Sequence, residues 1–109
     1  MFNDLIKSQE NEFGAICKEH HIAQLYAFGS SVNNNFKEDS DIDLLVEIAE
    51  DDPIKKGELL LSLWDKLEVM FNRKVDLLTQ SSIHNAVLLK NINATKKLIY
   101  DGAGRNIIN

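Results

Sequence analysis

Short apolar segments with strand character alternate with longer amphipathic helices along this chain, and few folds accept that order. Strands are predicted at residues 22–28, 42–48 and 74–79, and helices at residues 2–20, 53–71 and 84–100. A short helical turn is predicted within residues 30–35, directly after the first strand. Because helices must cover the sheet, this order predicts an α/β (α+β) fold, a small mixed sheet flanked by helices. The functional site is expected at the ends of the strands.

Capping residues and glycines indicate where the predicted elements begin and end. Asp52 can cap the second long helix, Pro53 suits its first position, and Asn72 can close it. Residues 102–109 contain two glycines and are expected to form a flexible tail. The chain is therefore predicted to be a single domain over residues 1–101.

Size and charge exclude several classes of function. The 109 residues carry a net charge of −5, from 17 acidic and 12 basic side chains, which disfavours a nucleic-acid substrate. The apolar runs are too short to span a bilayer, and the amino terminus lacks a signal-type segment. The lone Cys17 is interpreted as a packing residue in a reducing compartment, so a cytoplasmic location is expected.

Three aspartates are the candidate catalytic and metal-binding residues. Asp41 and Asp43 are two positions apart at the start of a strand, so their side chains are expected on one face. Asp76 lies within another apolar strand, between Val75 and Leu77. Carboxylates held together repel one another unless a hard cation such as Mg²⁺ lies between them. If the two strands are neighbours, the three acids suit a two-metal centre for phosphoryl transfer.

A glycine and a serine lie between the first predicted strand and these acids. Gly29-Ser30 follows the first strand and opens the short helical turn. Glycine lets the backbone approach a phosphate, and free N–H groups at the start of a helical turn attract anions. Each piece alone also has an ordinary explanation, since Asp39-Ser40-Asp41 can form a turn and cap a strand, and Gly29-Ser30 can form a turn. Their combination on neighbouring strands predicts a polyphosphate site beside a metal-binding pair.

Gly29-Ser30, ten intervening residues and Asp41-x-Asp43 together resemble the motif of the DNA polymerase β-type nucleotidyltransferases. Within that superfamily the whole chain is similar to the minimal nucleotidyltransferase family, whose members are about this short. This resemblance implies transfer of AMP from ATP with two Mg²⁺ ions. Several known members are antitoxins that add AMP to a tyrosine of a HEPN-domain toxin, which implies such a toxin as partner.

The resemblance also assigns roles by position. It implies that Gly29, Ser30 and Ser31 contact the nucleotide and that Asp41 and Asp43 bind both metal ions. Asp76 would bind the catalytic ion and help to activate the acceptor hydroxyl. Many members carry arginine at the position of Ser31 and an Arg-Gly pair shortly afterwards, where this chain has Asn33-Asn34. Lys37 or Arg73 is the alternative cation for the phosphates, although an ordinary surface position also explains each of these two residues.

Two rival functions remain open at this point. One is a binding antitoxin that inactivates its partner by contact alone, and the other is a small-molecule nucleotidyltransferase. Asp76 argues against the first, since a pure binder needs no third aligned carboxylate. The short chain argues against the second, because it leaves no separate domain for an acceptor and favours a protein that brings its own docking surface. Apolar helix faces also permit a homo-oligomer.

Overall fold

The computed structural model describes residues 2–32, 37 and 39–102, which form four helices, four strands and two short 3₁₀ turns. The helices are α1 (Phe2–Lys7), α2 (Glu10–Glu19), α3 (Pro53–Phe71) and α4 (Ala86–Thr95). The strands are β1 (Ile22–Phe28), β2 (Ile42–Ile48), β3 (Val75–Leu78) and β4 (Lys97–Asp101). The 3₁₀ turns are Gly29–Val32 and Gln80–Ser82. The predicted fold class, a small mixed sheet with helices, is confirmed.

The four strands form one sheet in the order β3-β2-β1-β4. β1 is antiparallel to β2 and to β4, whereas β2 and β3 are parallel. The parallel pair is joined by the long helix α3, as a crossover between parallel strands requires. The end of β1 therefore lies beside the beginnings of β2 and β3, and the three candidate aspartates lie at this end of the strands.

One face of the sheet is buried under α2 and α3. Alternate strand residues point into this core because side chains along a strand alternate between its two faces. The buried set includes Leu25, Ala27, Ile42, Leu44, Val46, Val75 and Leu77 from the sheet, with Phe13, Cys17, Leu63 and Leu67 from the helices. Burial raises the pKa of the Cys17 thiol to about 12, consistent with its predicted packing role. The intervening strand residues, among them Tyr26, Asp43 and Asp76, lie on the opposite face.

Two predicted helices differ from the structure. The first is divided into α1 and α2 by a break at Ser8 and Gln9. The Ser8 hydroxyl donates to the Leu5 carbonyl at 2.9 Å, a local bond that competes with continuation of the helix. The prediction of a helix over residues 84–100 is wrong beyond Thr95. Residues 97–101 form β4 and pair with β1, which buries Ile99 and Tyr100.

The boundaries of α3 are as predicted. The Asp52 side chain accepts from the Ile54 N–H at 3.0 Å, Pro53 is the first residue, and Asn72 ends the helix with φ +52°. No helix among the described residues has the length and apolar character needed to cross a bilayer. Of the predicted tail, Gly102 donates its N–H to the Ala23 carbonyl at 2.7 Å, and residues 103–109 lie outside the described residues.

Candidate active site

Asp43 and Asp76 lie side by side on the open face of the sheet. They are direct partners in the parallel pairing of β2 with β3, so both side chains leave the sheet in the same direction. Burial raises the pKa of Asp43 to about 6, with further contributions from the charge of Asp76, a hydrogen bond with Asp76 and the charge of Asp41. The site thus concentrates negative charge that a cation would relieve.

Asp41 reaches the same site from the segment that enters β2. Its side chain is exposed, and its charge is close enough to Asp43 to raise the pKa of that carboxyl. The next residue, Ile42, is fixed by a bond from its N–H to the Lys74 carbonyl at 3.0 Å. The structure therefore pairs Asp43 with Asp76 and places Asp41 near Asp43, where β2 begins.

Arg73 holds the segment that precedes Asp41. Its Nη1 donates to the Lys37 carbonyl at 2.6 Å and to the Ser40 carbonyl at 3.2 Å. The Lys37 N–H in turn donates to the Ser40 hydroxyl at 2.8 Å. The guanidinium that the sequence offered as a phosphate ligand is thus engaged with backbone carbonyls, and it positions Asp41.

Gly29 forms a tight bend directly against Asp43. Its φ is +62°, and a Cβ added there would lie only 2.6 Å from Asp43 Oδ2. Only a residue without a side chain lets this carboxylate and this bend approach so closely. The predicted phosphate-binding turn and the predicted metal-binding pair are therefore in direct contact.

The two serines after Gly29 have different surroundings. Ser31 is 6% exposed, and its hydroxyl oxygen accepts from the Asp43 N–H at 3.0 Å, which ties the turn to β2. Ser30 is only half-buried. A nucleotide contact by Ser30 or Ser31 stays a prediction, and the structure adds a bracing role for Ser31. Asn33 and Asn34 lie outside the described residues.

Two residues of α3 fix the start of β3, which carries Asp76. Glu68 Oε2 accepts from the Val75 N–H at 2.9 Å, and Trp64 Nε1 donates to the Val75 carbonyl. Trp64 and Glu68 are four residues apart and so share one side of the helix. Neither residue was predicted to anchor this strand, although the i, i+4 spacing of two hydrogen-bonding side chains on one helix was a visible signal.

The donor set fits Mg²⁺ in its chemistry. Within residues 2–32, 37 and 39–102, no three acid, histidine or cysteine side chains converge tightly enough to hold an ion by themselves. Mg²⁺, however, characteristically takes one or two protein carboxylates and completes its shell with water and substrate phosphates. The adjacent Asp43 and Asp76, with the charge of Asp41 nearby, suit an ion that arrives together with a nucleotide. Direct ligation by the three acids stays a prediction.

Known proteins share this sequence pattern and fold. The polymerase beta nucleotidyltransferase family model matches residues 11–103. A Methanocaldococcus jannaschii chain provisionally named as a protein adenylyltransferase is 37% identical over 82 residues, 75% of this chain and 79% of that one. Protein adenylyltransferase MntA of Thermococcus cleftensis is 33% identical over 66 residues, 61% of this chain and 64% of its own. A chain in the crystal structure of a toxin–antitoxin with AMP-PNP is 26% identical, with a TM-score of 0.61 over 84% of this chain and 73% of that one.

Proposed function

This chain belongs to the polymerase beta nucleotidyltransferase family, in its minimal nucleotidyltransferase branch, and from that membership we propose that it transfers AMP from ATP to a hydroxyl of a partner protein. Its nature as a nucleotidyltransferase follows from the family. The observation that carries the proposal is the contact of the Gly29 bend with Asp43, beside Asp76 on the next strand. A bend that can hold a polyphosphate beside carboxylates that can share Mg²⁺ with it supports this chemistry.

The residues divide the reaction between them. The Gly29–Ser30 bend offers backbone N–H groups and a hydroxyl to the triphosphate, while Asp41 and Asp43 supply the carboxylates for Mg²⁺. Bound Mg²⁺ would neutralise charge on the phosphates and on the attacking and leaving oxygens. The acceptor oxygen attacks the α-phosphorus, the bond from that phosphorus to the bridging oxygen breaks, and pyrophosphate leaves. Asp76 accepts the hydroxyl proton.

The partner is proposed to be a HEPN-domain toxin, and the modified group a tyrosine hydroxyl. Support for a toxin comes from the similarity to a toxin–antitoxin chain and to MntA, a protein adenylyltransferase. AMP-PNP in that related complex supports ATP as the nucleotide. A cytoplasmic location, where ATP and Mg²⁺ are plentiful, fits this function.

Intact-mass spectrometry of the partner tests the proposal. The protein is incubated with Mg²⁺, ATP and the product of the neighbouring gene, and the partner is then weighed. We expect one or more AMP units on the partner, and none with Asp41→Ala. Asp39→Ala is the matched control, since this exposed acid lies two residues away and has no assigned role.

Each outcome separates the rival functions. Partner inhibition that survives Asp41→Ala without any mass increase would support a binding antitoxin and refute the enzymatic proposal for this partner. Transfer of AMP to a small hydroxyl compound with tight saturable binding, and none to the protein, would support the small-molecule alternative.

A further inference from the structure

A groove runs across the open face of the sheet, next to the acidic site. It has a volume of about 260 Å³ and is lined by residues that include Tyr26, Leu45, Glu47, Lys56, Gln80 and Lys96. We call it the lysine groove, because two cations and one acid are found among its described lining residues. The groove thus has a small excess of positive charge in a chain whose net charge is −5.

The position of the lysine groove relative to the acids is fixed by the strands. Leu45 follows Asp43 by two residues, and Gln80 follows Asp76 by four, while Tyr26 precedes Gly29 by three on the antiparallel neighbour. At about 3.3 Å per strand residue, the groove begins roughly 7 Å beyond the acids. The acids therefore separate the Gly29 bend from the lysine groove.

This order matters because phosphoryl transfer is in line. The attacking oxygen must approach the α-phosphorus from the side opposite to the leaving pyrophosphate. If the bend holds the end of the triphosphate that leaves, the acceptor hydroxyl enters from the groove side. The groove is then occupied by the part of the acceptor that flanks this hydroxyl.

The groove lining selects an anionic occupant. Lys96 Nζ lies 4.1 Å from the centroid of the Tyr26 ring and donates to Asn93 Oδ1 at 3.0 Å, so its charge is held in place. The Tyr26 hydroxyl donates to Gln24 Oε1 at 2.9 Å, which orients the ring that lies under Lys96. Lys56 adds a second ammonium group from the first turn of α3. A neutral purine base would gain little from two ammonium groups, whereas carboxylate side chains would pair with them.

We propose that the lysine groove binds a segment of the acceptor protein in which carboxylate side chains flank the hydroxyl that receives AMP. Lys56 and Lys96 determine this specificity by pairing with those carboxylates. The inference rests on the proposed function, since it assumes a protein acceptor. It adds that neighbouring carboxylates determine which hydroxyl group of the acceptor receives AMP.

Two peptides test the groove directly. Both are blocked pentapeptides with a central tyrosine, flanked on each side by two glutamates in one and by two glutamines in the other. ¹⁵N-labelled protein with Mg²⁺ and AMP-PNP is titrated with each, and the amide signals of Tyr26, Leu45 and Gln80 are followed by NMR. We expect the acidic peptide to bind at least about fivefold more tightly, as two partly exposed ion pairs allow.

Lysine variants provide the control. Lys56→Gln and Lys96→Gln should each reduce this preference, whereas Lys55→Gln, an exposed neighbour that does not line the groove, should leave it intact. The proposal is overturned if both peptides bind equally, if the preference survives both groove variants, or if AMP-PNP competes with the peptide for the groove.

Transfer of AMP to the partner protein is measured separately. The groove variants should lower kcat/KM for the partner about fivefold and leave the KM for ATP unchanged. If AMP transfer does not depend on either lysine, the proposal for the groove is refuted, while the proposed transferase function is not. Acid-selective binding in the groove without transfer to any hydroxyl would refute the proposed function and leave the groove as a site for anionic segments.

Discussion

The aspartates of the site differ in what surrounds them. Asp43 lies between β1 and β3 against the Gly29 bend, where burial and two acidic neighbours favour its protonated form. Asp41 is exposed at the entry to β2. Asp76 faces Asp43 from the edge strand β3. Substitution of each acid should therefore alter a different property of the protein.

Asp76→Asn should stop transfer without preventing ATP binding. The amide keeps the size of the carboxylate but cannot take the hydroxyl proton, so kcat should fall by at least about 100-fold. Isothermal titration with Mg²⁺ and AMP-PNP measures binding, and radiolabel transfer from ATP measures kcat. Undiminished transfer would remove Asp76 from the mechanism.

Asp43→Asn should stabilise the protein when Mg²⁺ is absent. The folded pKa of about 6 lies above the 3.8 of an unperturbed aspartate, so the folded state holds this proton more tightly than the unfolded state. Stability is therefore lost as pH rises from 3.8 to 6, and the full penalty is present at pH 7. For a partly exposed group it amounts to about 1 kcal/mol after allowance for solvent screening.

Thermal unfolding in EDTA measures this effect. The Tm of Asp43→Asn should exceed that of the wild type by a few degrees at pH 7.5, and the difference should shrink as pH falls from 6 towards 4. Asp65→Asn, an exposed acid on α3, removes the same charge and should show no such pH dependence. If the difference in Tm between Asp43→Asn and the wild type were the same at every pH, the ionised Asp43 carboxylate would not be the cause of the destabilisation.

At the scale of elements, the site depends on how three segments are joined. The Gly29–Val32 turn is tied to β2 through Ser31, and β3 is tied to α3 through Trp64 and Glu68. The segment before Asp41 is tied to the α3–β3 connection through Arg73. Helix α3 thus fixes the strand that carries Asp76, and the connection that follows the helix fixes the segment that leads to Asp41.

Arg73→Gln should impair catalysis through the placement of Asp41. Loss of its bonds to the Lys37 and Ser40 carbonyls releases that segment, and a misplaced ligand should lower kcat/KM for Mg·ATP by about tenfold or more. Steady-state kinetics at several Mg²⁺ concentrations should show a higher Mg²⁺ requirement. Arg73→Lys, which can still donate to a carbonyl, should recover part of the loss.

Lys74→Gln is the matched control for this variant. It removes one positive charge from the adjacent exposed residue and should keep wild-type kinetics. If Lys74→Gln and Arg73→Gln are equally impaired, or if Arg73→Lys recovers nothing, general charge or direct phosphate binding explains the effect better than positioning does.

At the scale of the whole molecule, sequence reasoning succeeded where local pattern decides structure. β1 and β2 have the predicted bounds, since apolar segments flanked by turn residues define them, and Asp52 and Asn72 end α3 as their chemistry dictates. β4 was missed because the consecutive apolar residues Leu98, Ile99 and Tyr100 fit the spacing of a helix as well as that of a strand. Only their pairing with β1 makes this segment a strand. The roles of Arg73 and Ser31 were missed for a related reason, since their partners are backbone groups of distant segments.

Mg²⁺ and nucleotide together should stabilise the whole domain. A ligand that binds only the folded state adds about 2.7 kcal/mol when present at 100 times its dissociation constant. Thermal unfolding with Mg²⁺ and AMP-PNP should therefore show a higher Tm than with either component alone. The gain should disappear in Asp41→Ala and persist in Asp39→Ala. An equal shift with AMP-PNP in EDTA would show that the nucleotide binds without the metal.

The contact between Gly29 and Asp43 has an evolutionary consequence. A single methyl group at position 29 would collide with the carboxylate while leaving the core and the outer surfaces untouched. Gly29→Ala is therefore expected to impair the site while the domain still folds. A homologue without this glycine is expected to lack transferase activity, and the residue at this position is therefore a simple marker for distinguishing active from inactive members of the family.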